Sequence, residues 1–210
     1  MGTGRIELDG IRNIILDLGG VILELDVNRT IRAFHDLGFP ALESADIILS
    51  RYPFFLDFET GLLSPAEFIR KVMGISGDHV TREKVLEAWN AMILGFTPET
   101  IELLQDLRKR YRLFLLSNTN AIHEITYNNL LHAKYGIRNL DRIFEEVYYS
   151  HRLRLRKPDP EIFKYVLKHK NLEPGECLYV DDTRVHIESA RSIGIRAVHL
   201  AVPERITDIL

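Results

Sequence analysis

Cysteine is almost absent from this 210-residue chain: Cys177 is the only one, so no internal disulfide can form. Stability must come from a buried core, and a chain of this length buries roughly 70% of the surface its unfolded form exposes. The scarcity of thiols agrees with a reducing compartment, and a cytoplasmic location is expected. An excess of one charge is also lacking. The 27 Lys and Arg residues against 30 Asp and Glu leave a net charge of −3, without the basic surplus that coating a nucleic acid requires. No apolar run approaches the ~20 residues of a membrane-spanning helix. The opening MGTGRIELDGIRN holds no apolar signal-peptide core. Neither nucleic acid nor membrane is an expected partner. Repeats, low-complexity tracts and long linkers are missing as well. Gly19-Gly20 is not followed by a G-x-G-x-x-G pattern and reads as a close backbone approach, not a dinucleotide fingerprint. The eight histidines include no pair at metal-ligand spacing on one helix face.

What is present is a series of short, nearly continuous apolar runs. NIILDL (13–18), RLFLLSN (112–118), IFEEVYYS (143–150), CLYVDD (177–182) and AVHLAV (197–202) read as strands buried on both faces, as a parallel sheet demands. Helical patterns lie between them. Thr97-Pro98 and Asp159-Pro160 each place a capping residue before a proline at the first helical position. A third helix follows Thr183, with Gly194 placed to end it. Strand and helix in alternation predict an α/β, doubly wound, Rossmann-like parallel sheet.

Residues 24–96 break the alternation. They read as mainly helical, and Ser64-Pro65-Ala66-Glu67 matches a capping box. Phe34, Phe39, Phe54, Phe55, Phe58, Phe68 and Phe96 fall here, with the single tryptophan, Trp89. The expectation is a small helical cap with its own aromatic core, inserted after the first strand at 24–96, over an α/β domain of 1–23 and 97–210.

In open α/β sheets ligands bind beyond the carboxyl ends of the strands. Asp17 stands at the end of the first strand, Ser117-Asn118 at the end of the second and Asp181-Asp182 at the end of the fourth. Lys157, in RKPDP, precedes the helix after the third. Carboxylates gathered in one crevice repel each other unless a cation compensates. Oxygen donors suit a hard ion, and Mg²⁺ takes one or two carboxylates together with substrate phosphate and water. A lysine and a hydroxyl supply the charge and donor of a phosphate cradle. A carboxylate facing phosphorus can attack in line to form an aspartyl-phosphate.

These residues resemble the haloacid dehalogenase-like superfamily of hydrolases, dominated by Mg²⁺-dependent phosphatases. ILDLGGVI resembles its first motif, LLSNTN the second, RKPDP the third and YVDDT the fourth, in order from Asp17 to Asp182. The resemblance implies Asp17 as nucleophile, and Asp17, the Gly19 carbonyl and Asp182 as metal ligands. Ser117 and Lys157 hold phosphoryl oxygens, Asn118 helps position substrate, and Asp181 orients Lys157 or supports the metal. A small phosphorylated metabolite is the implied partner. Similarity to bacterial phosphatases of α-glucose 1-phosphate points to a sugar phosphate; the phosphatase domain of soluble epoxide hydrolases is also similar, but keeps a second aspartate in the first motif.

One position departs from the pattern. The superfamily's first motif usually carries a second aspartate that protonates the leaving oxygen, and here that place is Gly19. Three readings follow: a leaving group acidic enough to depart unaided, such as an anomeric sugar; a proton from the cap, with Asp57 and Glu59 as candidates; or a weakly catalytic binding protein. A metal-free 2-haloacid dehalogenase is a further alternative, disfavoured by the Asp181-Asp182 pair.

Overall fold

Strand β1 (Asn13–Leu16) is buried along its whole length and lies at the centre of a sheet, with neighbours on both sides. The computed structural model describes residues 5–39, 51–77 and 79–210. Short strands β2 (Glu24–Leu25) and β3 (Ile93–Gly95) form a separate antiparallel ribbon. The main sheet adds β4 (Arg112–Ser117), β5 (Glu146–Tyr149), β6 (Cys177–Asp181) and β7 (Arg196–His199), in the order β5-β4-β1-β6-β7. Every pairing in it is parallel, with Leu16 opposite Leu115 on one side and Val180 on the other. The doubly wound α/β expectation is therefore met.

Two apolar layers cover the sheet. On one face Ile14, Leu16, Leu115 and Val180 pack with Leu104 and Leu107 of α5 (Pro98–Arg110) and Tyr127 and Leu131 of α6 (Ala121–Tyr135). On the other, Ile15, Phe114, Leu116 and Tyr179 meet Phe163 and Val166 of α8 (Pro160–Lys170) and Ile187 and Ala190 of α9 (Arg184–Ser192). The expected helix starts hold: Thr97 and Asp159 accept hydrogen bonds from the main-chain N–H groups of Thr100 and Glu161. Gly194 follows α9 at φ +88°, a backbone that favours glycine. Helices α7 (Ser150–Leu153) and α10 (Ile206–Ile209) are single turns.

Two strand readings shift. Residues 143–145 precede β5 instead of joining it, because a 3₁₀ turn at Leu140–Arg142 runs up to Ile143. Strand β7 ends at His199, short of Val202. The alternating HRLRLRK segment forms no strand: it starts as α7, and Arg154 turns the chain at φ +56°. Arg152 and Arg156 are paired with Glu124 and Glu59.

Between β2 and β3 lie α1 (Val27–Asp36), α2 (Phe54–Glu59), α3 (Pro65–Ser76) and α4 (Arg82–Asn90). The capping box forms, with Ser64 N–H donating to Glu67 at 2.8 Å and Glu67 N–H to the Ser64 hydroxyl at 3.3 Å. Phe34, Phe39, Phe55, Phe58, Phe68 and Trp89 make a buried aromatic cluster, and Phe58 stacks on Phe68 at 4.3 Å. Phe96 departs from the expectation: it packs into the sheet's own cluster, since it lies past β3 where the chain has returned to the sheet. Ile122 of α6 joins the aromatic cluster from the other side. Residues 1–4, 40–50 and 78 of the expected ranges lie outside the described residues. No helix among the described residues is long and apolar enough to cross a membrane.

Trp89 sits within this cluster and is the only tryptophan, so its fluorescence reports on the packing of the inserted helices and their contact with the sheet domain. Phe68→Ala should cost about 3–5 kcal/mol of their packing. Denaturant titration followed by Trp89 emission checks this through a lowered midpoint.

Candidate active site

The ends of β1, β4 and β6 and the loop before α8 bring their polar residues to one place. Asp17 follows β1, and its N–H still bonds to the Val180 carbonyl at 2.9 Å, which holds it beside the end of β6. The chain then turns sharply: the Leu18 carbonyl accepts from the N–H groups of Ile22 and Leu23, and Gly20 N–H donates to Leu23. Gly20 has φ +73°, and a Cβ there would lie 2.1 Å from Asp182 Oδ2. Only glycine fits between this turn and the Asp182 carboxylate.

Lys157 is 1% exposed, and its Nζ lies 2.7 Å from both Asp17 Oδ1 and Asp181 Oδ2. Its main chain is clamped by Asn118, whose Oδ1 accepts from Lys157 N–H and whose Nδ2 donates to the Lys157 carbonyl, each at 2.9 Å. Both ends of the Asn118 amide are therefore spent on placing Lys157. Asp181 is wholly buried and saturated. Besides Lys157 it accepts from Thr183 N–H at 2.7 Å and from the Tyr179 hydroxyl, and its Oδ2 lies 3.0 Å from His186 Nδ1. Asp182 is exposed, and its one hydrogen-bonded oxygen, Oδ1, accepts from the Thr183 hydroxyl at 3.1 Å.

Electrostatics follow from this packing. Burial pushes the Asp17 carboxyl up; the Lys157 charge pulls it back, Asp181 and Asp182 add repulsion, and the result is about 7. Burial also acts to raise Asp181, but the Lys157 charge and His186 hold it well below the carboxylate range. Burial raises Asp182 too. Oxygens of Asp17, Asp181 and Asp182 lie within 4.8 Å of one another. Asp181 is engaged by four protein groups, so Asp17 and Asp182 are the two with lone pairs to offer a hard cation.

Beside the triad opens a cavity of about 250 Å³, between the sheet and the inserted helices. Its floor includes Leu18, Gly19, Ser117 and Asn118, while Phe34, Phe55 and Glu59 contribute from the inserted helices. Two networks stitch these halves together. Asn120 Oδ1 accepts from Trp89 Nε1 at 3.2 Å, and His123 stacks on the Trp89 ring at 4.7 Å. Ser150 Oγ accepts from Thr119 N–H and has two possible acceptors for its own proton, the Glu59 carbonyl at 2.6 Å and the Thr119 carbonyl at 3.0 Å.

Asp17, Gly19, Ser117, Asn118, Lys157, Asp181 and Asp182 thus converge, either at the ion triad or around the adjoining cavity. Sequence reasoning passed over Tyr179, Ser150 and the Trp89–Asn120–His123 network. None has a local signal, because each acts through a partner distant in the chain or through a rotamer.

A model of the haloacid dehalogenase-like hydrolases matches residues 11–194. The chain belongs to the haloacid dehalogenase-like hydrolase family. A D-ribitol-5-phosphate phosphatase from Bacteroides thetaiotaomicron is 34% identical over 191 residues, spanning 88% of this chain and 89% of its own. A crystal structure of a haloacid dehalogenase family enzyme from the same organism, in complex with magnesium and inorganic phosphate, aligns with a TM-score of 0.81 at 31% identity, covering 92% of this hydrolase and 96% of that chain. A 2-haloacid dehalogenase from a Pseudomonas species is 22% identical over 208 residues, 92% of this chain and 86% of its own.

Two outcomes test the site of this hydrolase. Gly20→Ala drives a methyl group into Asp182 and should weaken Mg²⁺ binding by roughly tenfold or more, read by calorimetric titration. A proton and a cation compete for Asp17. Its raised carboxyl binds the proton more tightly folded than unfolded, so in the metal-free protein Asp17 costs stability as pH rises from about 4 to about 7. Added Mg²⁺ should therefore raise the melting temperature more at about pH 8 than at about pH 6.

Proposed function

We propose that this hydrolase is a magnesium-dependent phosphomonoesterase acting through an aspartyl-phosphate on Asp17. The observation that carries the reading is the buried ammonium of Lys157 held between Asp17 and Asp181, with the Asp182 carboxylate facing the Gly20 turn. Asp17, the Gly19 carbonyl and Asp182 form an oxygen-only donor set that fits Mg²⁺. When bound, the ion would neutralise charge on the transferring phosphoryl group.

In this reading Asp17 Oδ attacks phosphorus in line. Lys157 has three ammonium donors, of which Asp17 and Asp181 take two, and the third is left for a phosphoryl oxygen. The Ser117 hydroxyl holds a second oxygen at the cavity floor. Asn118 serves the substrate indirectly, by fixing the Lys157 main chain, and Asp181 keeps the ammonium aimed. Residues 24–96 act as a cap over the α/β domain of 1–23 and 97–210, closing the cavity above the phosphate.

The substrate is a small phosphorylated sugar or alditol, whose alcohol is the leaving group. A cavity of about 250 Å³ limits its size, and the ribitol phosphate phosphatase relative supports the class. Glucose 1-phosphate is the finer candidate from the sequence, and ribitol 5-phosphate is the candidate from the relative. A carbon–halogen reaction has no use for the Asp17–Asp182 cation site, and the dehalogenase relative is the more distant.

The test is phosphate release from a panel containing both esters, with Mg²⁺ and with chelator. Mg²⁺-dependent turnover of at least one is expected. Halide release from a 2-haloacid without Mg²⁺, or no turnover of any ester, would refute the reading. Asp17→Asn should lower kcat by roughly 10⁴-fold or more while the melting temperature shows a folded protein.

A further inference from the structure

An alkyl phosphate departs as an alkoxide unless it is handed a proton, and supplying that proton is worth roughly 10²–10⁴-fold. Gly19, two positions past the nucleophile, has no side chain to give one. Most polar groups near the cavity are already committed. Asp17 faces phosphorus and Asp182 the cation, while Lys157 and Asp181 hold each other. His123 accepts from Asn120 Nδ2 at Nδ1 and donates to the Trp89 carbonyl at Nε2, so both ring nitrogens are used. Burial holds it down to about 4, hence neutral. Burial raises the Tyr127 phenol well above its ordinary value, which makes it a far weaker acid than a carboxyl group.

Among the described residues that line the cavity, Glu59 remains. It is the last residue of α2, and its carboxylate lies 3.3 Å from Arg156 Nη2, next to Lys157 in the chain. Its position is locked from two sides. The Glu59 carbonyl accepts from Ser150 Oγ, and Gly61, at φ +69°, packs so tightly on the His151 carbonyl that a Cβ would lie 2.0 Å from it. Asp57, the other acidic residue on α2, does not line the cavity.

We propose that Glu59 is the general acid and base of this site, the cap residue that serves where Gly19 has no side chain. The proposal rests on the phosphatase reading above. As the Asp17 oxygen bonds to phosphorus and the bond to the leaving oxygen breaks, the Glu59 proton passes to that oxygen, and a neutral alcohol departs. Water then attacks the aspartyl-phosphate, its proton returns to Glu59, and the bond from phosphorus to Asp17 breaks. Phosphate and alcohol are the products, and both carboxyl groups are restored. Burial raises the Glu59 carboxyl above its ordinary value despite the Arg156 charge, which favours the protonated form needed first.

A leaving-group comparison tests this. p-Nitrophenolate departs without a proton, whereas the alkoxide of ribitol 5-phosphate does not. In Glu59→Gln, kcat/KM for ribitol 5-phosphate should fall about 100-fold or more. For p-nitrophenyl phosphate, kcat/KM should stay within about threefold while kcat falls, because the aspartyl-phosphate has lost its base. Adding Gly19→Asp to that variant should recover the ribitol 5-phosphate rate selectively. Its new Cβ meets only the Leu25 side-chain tip, which can shift. An equal fall in kcat/KM for both esters, as loss of the Arg156 pairing alone would produce, overturns the proposal, and so does no fall for either. If Glu59→Gln does not fold, Glu59→Asp is measured in its place, and an unchanged ratio between the two esters overturns the proposal. Unaltered protein that cleaves neither ester with Mg²⁺ overturns the phosphatase reading itself, and Glu59 with it.

Discussion

A lysine ammonium buried between two aspartates is the interaction on which the site depends. Taking Lys157, Asp17 and Asp181 out of water carries a large desolvation cost, and their mutual attraction offsets it only if the geometry is close and the remaining lone pairs are satisfied. Contacts of 2.7 Å on both sides meet the first condition. Tyr179, Thr183 and His186 meet the second for Asp181. Asn118 then fixes the lysine's main chain from β4. Strands β1, β4 and β6 and the loop after β5 are thereby tied at a single point, and the three charges leave a net −1. With Asp182 the excess reaches −2, and that surplus is what makes a divalent cation a natural complement.

The proposed phosphatase chemistry needs a second ingredient, a wall above the ion triad. The inserted helices supply it while keeping their own aromatic core. They are joined to the sheet domain through polar contacts at Asn120, His123, Ser150 and Arg156, through Gly61 packed on the His151 carbonyl, and through Ile122. Polar seams of this kind can be remade by water when they part, which a continuous apolar interface cannot do as cheaply. The ribbon of β2 and β3 holds the two ends of the insertion together, so both chain crossings between the parts lie side by side.

Much of this was legible in the sequence, for stated physical reasons. Strands buried on both faces must be apolar throughout, so NIIL and CLYV announced themselves, as did the Thr-Pro and Asp-Pro helix starts. The meeting of Asp17, Lys157 and Asp182 was legible because two carboxylates at strand ends and a lysine before the next helix fall at one edge of a parallel sheet. The ribbon was not, since strands of two and three residues carry no periodicity. Phe96 read as part of the aromatic insertion because composition cannot show on which side of a crossing a residue packs. Asp57 and Glu59 were indistinguishable as letters; only the turn of α2 decides which one lines the cavity.

The Ser150 hydroxyl has one proton and two carbonyls within reach, one on each side of the seam. A simple rotation about its C–O bond moves that proton from the Glu59 carbonyl to that of Thr119. Ser150 therefore stays satisfied whether α2 is docked or withdrawn, and a buried group that would otherwise resist separation of the two halves is neutral towards it. In the proposed phosphatase, substrate entry and product exit would meet no toll at this residue.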